Sequence, residues 1–242
     1  KADQIARNMG LPLDAKERIR AGLYFTLNRL ANEGHTYAPQ RILMETANEL
    51  LQIDNLERIE EVLGEQLLAG DLIAEIITGP EGDRLTGVYL PMYHHAETKS
   101  AERLSKLAGA ESLITEGTAD LTWPSFLKDI AARNSVTLTP QQQGAVRAAL
   151  TSKVSVLTGG PGTGKTPTLQ MVISALEELE YRFAQASPTG RAAKRLSEAT
   201  GHDAYTIHRL LGYSPADGFA YDDDYPLEVD MLIVDEASMI DL

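Results

Sequence analysis

The run Gly159-Gly160-Pro161-Gly162-Thr163-Gly164-Lys165-Thr166 constrains this chain more than any other stretch. It follows the apolar segment Val154-Ser155-Val156-Leu157-Thr158 and precedes a helical pattern through Leu169, Val172, Ile173, Leu176 and Leu179. G-x-x-x-x-G-K-[ST] between a strand and a helix predicts a loop whose backbone N–H groups converge on phosphate oxygens. Glycine permits the tight turn, the helix N-terminus adds a positive dipole end, and Lys165 supplies an ammonium for the β and γ phosphates. Thr166 offers its hydroxyl to Mg²⁺. A glycine-rich turn without a ligand is the bland alternative, and a strand and a helix in register argue against it. The expected ligands are therefore a nucleoside triphosphate and Mg²⁺, with Gly159, Gly160, Pro161, Gly162, Thr163, Gly164, Lys165 and Thr166 as the nucleotide-binding set.

From Leu138 onward, short apolar strands alternate with longer helical stretches. Phe183-Ala184-Gln185-Ala186 leads into a helix ending before Gly201, and Met231-Leu232-Ile233-Val234 closes the series. This order predicts a parallel α/β sheet with right-handed crossovers. The last strand runs into Asp235-Glu236. Alone, such a pair is a strand meeting solvent. In one sheet with a phosphate loop, the first acid holds Mg²⁺ and the second polarises an attacking water. Asp235 and Thr166 are the expected metal residues, and Lys165 and Glu236 the expected catalytic ones.

The first third reads differently. Leu23, Leu27 and Leu30 share one helical face, as do Leu56, Ile59, Leu63 and Leu67, within a helical pattern running from Ile5 to Leu72. Gly10, Gly22, Gly34 and Gly70, with Pro12 and Pro39, divide that pattern into several short helices. Leu72 to Ile77 and Gly87 to Leu90 flank Gly79-Pro80-Glu81-Gly82-Asp83 like the arms of a hairpin. A helix-hairpin-helix or winged-helix-like module and a small helical packing domain both fit. Three regions are expected: a mainly helical domain over 1–98, connecting helices over 99–136, and an α/β domain over 137–242.

Composition narrows the function classes. The 242 residues carry no cysteine, which removes disulfides, thiolate catalysis and Cys-ligated metals and is compatible with a cytoplasmic location. No apolar run approaches the roughly 20 residues a membrane-spanning helix needs, so neither anchor nor signal peptide is expected. The net charge of −13 argues against coating nucleic acid by bulk charge, yet leaves room for a local basic track. Residues 151–242 hold 7 basic and 14 acidic groups, and three of those cations, Arg191, Lys194 and Arg195, fall within five positions. They follow Ser187-Pro188-Thr189-Gly190, a strand-loop-helix junction whose amides and hydroxyls suit polynucleotide phosphates. On charge alone, a solvated helix face explains them equally well. Thr206-Ile207-His208-Arg209-Leu210-Leu211-Gly212 reads as a short helix capped by Thr206 and stopped at Gly212.

Taken in order, Leu138-Thr139-Pro140-Gln141-Gln142, Gly159 to Thr166, Ser187 to Leu196, Thr206 to Leu211 and Leu232 to Met239 resemble the leading motifs of superfamily 1 DNA helicases. The likeness is greatest to the RecD-like branch of superfamily 1B, which moves 5′ to 3′ on single-stranded DNA. It covers about residues 138–242. Residues 1–98 are more weakly similar to the helix-hairpin-helix and winged-helix-like region that precedes the motor in that branch. The resemblance implies a P-loop RecA-like parallel sheet with flanking helices, behind the helical N-terminal domain. It also implies that Gln142 reads adenine, and that Ser187, Pro188, Thr189, Gly190, Arg191, Thr206 and His208 contact nucleic acid. The partners it implies are single-stranded DNA, duplex–single-strand junctions and a second RecA-like domain of the same protein.

The chain stops at Asp241-Leu242, directly after the acidic pair, and is expected to be the front part of a longer protein. Family members hold ATP between two RecA-like domains, and arginines of the second are worth about 10³–10⁵ in rate. The chain by itself is expected to turn ATP over very slowly. A second departure is Pro167, which stands where the family usually has a second Thr. Proline fits a first helical turn but has no N–H. Two other readings compete. One is a nucleotide-switched DNA-binding or interaction module without unwinding activity. The other is a small-molecule P-loop kinase, disfavoured because no arginine-bearing lid follows the loop.

Overall fold

The computed structural model describes residues 10, 12–79, 82–160 and 162–240. Ile5, where the helical pattern was read to begin, Pro80 and Glu81 of the hairpin turn, Pro161 of the glycine loop and the terminal Asp241-Leu242 lie outside the described residues. The chain divides into two compact units after Arg103.

The first unit runs α1 (Lys16–Asn32), β1 (Tyr37–Pro39), α2 (Gln40–Leu51), α3 (Leu56–Ala69), β2 (Ile73–Thr78), β3 (Arg84–Tyr89) and into α4 (Pro91–Ala108). Its sheet is antiparallel in the order β1-β3-β2, with Ala38 opposite Val88 and Ala74 opposite Val88 on the other edge. Three helices with a strand between the first two, followed by a hairpin, is the winged-helix order. The hairpin turn forms where the glycines stand: Gly79 N donates to Asp83 O at 2.7 Å and Gly82 adopts φ +82°. Pro39 is tolerated because β1 is an edge strand.

The two helical faces read from sequence meet in one core. Ile19, Leu23, Leu27, Leu43, Leu51, Ile59, Val62 and Leu63 are buried together with Val88 and Leu90 of the sheet side. Leu30 and Leu67 are partly buried against them, whereas Leu56 is exposed. Gly22 allows α1 and α2 to approach closely, since a Cβ there would lie 2.6 Å from Leu51 Cδ1. Asn55 caps α3 by accepting from Arg58 N at 3.0 Å, and Gly70 ends it in the left-handed conformation.

The second unit contains α5 (Leu113–Gly117), α6 (Trp123–Arg133), α7 (Pro140–Thr151), α8 (Lys165–Glu178), β4 (Phe183–Ser187), α9 (Gly190–Thr200), β5 (Ala204–Thr206), α10 (Ile207–Leu210) and β6 (Met231–Val234). A 3₁₀ turn over Ala237–Met239 follows. The segment read as connecting helices is built into this unit. Ile114, Leu127 and Ile130 are buried with Val146, Leu150, Met171, Ile173, Leu176 and Ile233.

The sheet is parallel, in the order β5-β4-β6, which agrees with the α/β expectation for this region. Its register sets Ser187 beside Thr206 and Ala186 beside Val234, so all three strands end at one edge. Asp235 N extends the ladder by donating to Ala186 O at 3.0 Å.

One expectation fails here. Val154 to Thr158 is not a strand; the segment is unpaired and exposed, with Val156 86% and Leu157 45% accessible. Strand formation needs a neighbour for the backbone N–H and C=O groups as well as an apolar sequence. Among the described residues β6 pairs only with β4, and no strand flanks 154–158. The glycine loop therefore follows an extended segment rather than a sheet strand. No helix of the described residues is long and apolar enough to cross a membrane.

Candidate functional site

The glycine loop opens α8. Gly162 and Gly164 adopt φ +75° and +86°, left-handed conformations that exclude most side chains, and Gly164 is the N-cap of the helix. At Gly159 a Cβ would lie 2.6 Å from Thr163 Oγ1, which itself donates to Gly160 O at 2.8 Å. The turn is thus tight at both ends. Lys165 sits at the first helical position and folds back over the loop, its Nζ donating to Gly159 O at 2.5 Å and Gly160 O at 3.1 Å. Lys165 and Thr166 are exposed. This geometry fits a phosphate chain: a helix N-terminus with free amides, and an ammonium held by carbonyls that phosphate oxygens can replace. Pro167 occupies the first turn of α8 and contributes no donor there.

Gln142 is brought to this loop from a different helix. α7 begins with a capping box, in which Thr139 Oγ1 accepts from Gln142 N at 3.3 Å and Gln142 Oε1 accepts from Thr139 N at 2.9 Å. The other end of the Gln142 amide, Nε2, lies against Gly164, where any Cβ would collide with it. Glycine at 164 is thus favoured by its backbone angle, and a side chain there would also displace the Gln142 amide. The side chain predicted to read adenine reaches the loop, and in this state its carbonyl oxygen is engaged by the cap.

The remaining predicted residues gather at the edge where the strands end. Ser187 closes β4, Thr206 closes β5, and Asp235 and Glu236 follow β6. Asp235 and Glu236 are both exposed, and Glu236 takes a left-handed φ of 54°. A non-glycine residue held there carries about 1–3 kcal/mol of strain, a feature that clusters at functional sites. Among the described residues no group of three or more His, Asp or Glu side chains forms a metal cage. Mg²⁺ suits that chemistry, since it binds through one or two protein oxygens together with phosphates and water.

Ser187 is fully buried and its Oγ has no hydrogen-bond partner, so it marks the end of the strand rather than an accessible hydroxyl. Thr189 caps α9 by accepting from Ala192 N at 3.3 Å, which starts that helix at Gly190 and leaves Arg191, Lys194 and Arg195 exposed along it. Thr206 caps α10 in the same way, accepting from Arg209 N at 3.2 Å. Gly190, Lys194, Ser197, Tyr205, Thr206 and Arg209 line an open depression of about 410 Å³ between α9 and β5. The two segments expected to contact nucleic acid therefore share one surface. His208 is exposed beside it.

Sequence reading missed Tyr205 and Arg209, whose guanidinium lies 4.9 Å from the Tyr205 ring centroid. The signal was weak: one arginine after a histidine, one tyrosine in a three-residue strand.

Residues 142–242 match a family model described as an AAA domain, and residues 1–37 match one described as the ATP-dependent RecD2 DNA helicase HHH domain. The chain is RecD-like. It is 31% identical over 99% of its length to the ATP-dependent RecD2 DNA helicase of Deinococcus radiodurans, of which it spans 33%. It is 37% identical to the RecBCD enzyme subunit RecD of Haemophilus influenzae, over 43% of this chain and 20% of that protein. The ATP-dependent DNA helicase PIF3 of Trypanosoma brucei brucei is 32% identical, over 45% of this chain and 13% of its own length. The chain thus spans a third or less of the relatives it resembles, and the RecD-like region includes both the helical N-terminal module and the α/β unit.

Proposed function

We propose that this chain is the ATP-binding front part of a DNA helicase motor that tracks along single-stranded DNA, 5′ to 3′ as its resemblance implies. The observation that carries the reading is the division of labour in the second unit. The glycine loop with Lys165 and Thr166 opens α8 and is met by Gln142 from α7, while Ser187 to Arg191, Thr206 to His208 and Asp235-Glu236 share the C-terminal edge of the parallel sheet. Open α/β sheets bind their ligands at that edge.

In this reading Lys165 and the amides of the loop take the β and γ phosphates, and Gln142 exchanges its cap for the adenine. Thr166 and Asp235 would hold Mg²⁺, which when bound neutralises phosphate charge. Glu236, exposed at the turn after β6, accepts a proton from the attacking water. Arg191, Lys194, Arg195 and Arg209 face the strand's phosphates from α9 and α10. A second RecA-like domain supplies the arginines that complete the reaction. The first unit takes a different role. The outward face of α3 carries exposed Glu57, Glu60 and Glu61, of which Glu61 pairs with Arg58, and in this reading the first unit is an interaction module for DNA or a protein.

Binding of labelled oligonucleotides to the intact chain, measured by anisotropy over a range of salt, tests the reading. Single-stranded DNA should bind more tightly than blunt duplex, with a log–log salt slope of about −1 to −3 for the few cations available. Equal affinity for both, or no dependence on salt, counts against it.

Pro167 gives a second test. Restoring threonine adds an amide donor at the first turn of α8, and a hydrogen bond to a charged group contributes about 1.5–3 kcal/mol. Pro167→Thr should tighten ATP binding by about tenfold or more, as read by calorimetric titration. Unchanged affinity would mean that this amide does not face the nucleotide.

A further inference from the structure

The two edges of the first unit's sheet are unlike. β1 is three residues long and ends in Pro39, which has no N–H to offer a neighbour, so that edge is poorly suited to further pairing. β2, on the other edge, is the six-residue run Ile73-Ala74-Glu75-Ile76-Ile77-Thr78, without proline, glycine or lysine. Among the described residues no strand lies beyond it, and Ile76 near its middle is 67% accessible. This edge lacks the devices that keep strand edges single.

The register fixes which groups the edge presents. β2 and β3 pair antiparallel with Ile77 opposite Leu85 and Glu75 opposite Gly87, and Gly79 N donates to Asp83 O at 2.7 Å where the hairpin turns. Hydrogen-bonded pairs alternate along an antiparallel ladder, so Ile73, Glu75 and Ile77 bond β3, whereas the N–H and C=O groups of Ala74, Ile76 and Thr78 point outward. These last three residues are all exposed.

Charge and symmetry select the strand that fits. Laid antiparallel about a two-fold axis at Ile76, β2 of one copy meets β2 of another with Ile76 opposite Ile76, Ala74 opposite Thr78 and Glu75 opposite Ile77. Every outward group of Ala74, Ile76 and Thr78 then has a partner, and no like charges meet. Sliding the register one way sets Glu75 against Glu75, which is destabilising. Sliding it the other way opposes Ala74 to Pro80, which has no N–H. In the centred register Glu75 also keeps its contact with His94 Nε2 at 3.1 Å.

We infer that the free edge of β2 pairs with the same edge of a second copy of this chain, joining two three-stranded sheets into one. The inference concerns the first unit and does not depend on the helicase reading. An edge contact is smaller than the about 1,200–2,000 Å² of stable complexes, so association is weak, with a dissociation constant between about 1 μM and 1 mM. Each copy carries a net charge of −13, and salt tightens the pairing by screening that repulsion.

Sedimentation velocity of the intact chain over a concentration series tests it, with residue-level hydrogen exchange on the same samples. Wild type should pass from monomer to dimer, more readily at higher salt, and the amides of Ala74, Ile76 and Thr78 should become protected as it does. Ile76→Lys and Ile76→Glu should each raise the dissociation constant about fivefold or more, since each sets like charges face to face. An equimolar mixture of the two should dimerise more tightly than either alone, because Lys then faces Glu across the axis. Both variants should fold, since the side chain is exposed, and retained protection of the Ile73, Glu75 and Ile77 amides checks that they do. A wild-type chain that stays monomeric to about 1 mM overturns the inference. So does a dimer in which Ala74, Ile76 and Thr78 exchange as in the monomer, since it pairs through another surface. A mixture that associates no better than its components overturns it as well, by showing that residue 76 does not face itself.

Discussion

Replacing Glu236 by Gln should leave ATP affinity unchanged and slow single-turnover hydrolysis by about 10²–10⁴-fold, the range for loss of a positioned general base. The geometry gives the reason. The chain leaves β6 with Asp235 N still bonded to Ala186 O, then reverses at Glu236 through a left-handed φ of 54°. That reversal sets the carboxylate in solvent at the edge of the sheet, where neither burial nor an ion pair of the described residues ties it up. Gln keeps the shape and the hydrogen-bonding reach but cannot take a proton. Stability should move little, because the side chain is exposed. If the Gln variant hydrolyses ATP at the wild-type rate in a single-turnover assay with excess protein, the base is another group.

Lys165→Ala should weaken ATP binding by about 100-fold or more, since the ammonium makes two or more charge-assisted contacts to phosphate, each worth about 1.5–3 kcal/mol. Without ligand, Nζ is held by Gly159 O and Gly160 O at 2.5 and 3.1 Å. Both carbonyls are on exposed residues, so water replaces the ammonium when it is removed. The variant should therefore melt with wild type, within about 0.5 kcal/mol, while calorimetric titration with ATP and Mg²⁺ loses its signal. A variant that binds ATP normally would move the phosphates away from the loop. Lys165→Arg is not expected to be a full rescue, because a planar guanidinium fork presents its donors differently from a single ammonium.

Local chemistry was legible in the sequence, and long-range pairing was not. The glycines at 162 and 164, the cap at Thr206 and the turn at Gly79 to Asp83 all appear where residue types demanded them, because each is decided within a few residues. The segment 154–158 had a strand's composition but is unpaired, since pairing depends on a neighbour that composition does not specify. Gln142 could be placed near the nucleotide only through family likeness. Its contact with Gly164 joins residues 22 positions apart and leaves no periodic trace. A cluster of rings after α10 was invisible for the same reason: His208, Tyr213 and Phe219 follow neither helical nor strand spacing, and only the hairpin closure at Ser214 and Gly218 brings them together. In the first unit the helical faces were readable, whereas β1, three residues including a proline, was not, and it is β1 that completes the winged-helix order.

The central claim is that one chain holds nucleotide and single-stranded DNA at separate places, the glycine loop of α8 and the edge formed by β4, β5 and α9. Fluorescence anisotropy of a labelled single strand, titrated with the intact chain at saturating ATP and Mg²⁺ and again without them, tests it directly. The account predicts saturable binding that reaches the same plateau in both titrations, because the two ligands are held together. Displacement of the strand by ATP, as expected for one shared phosphate site, would contradict it.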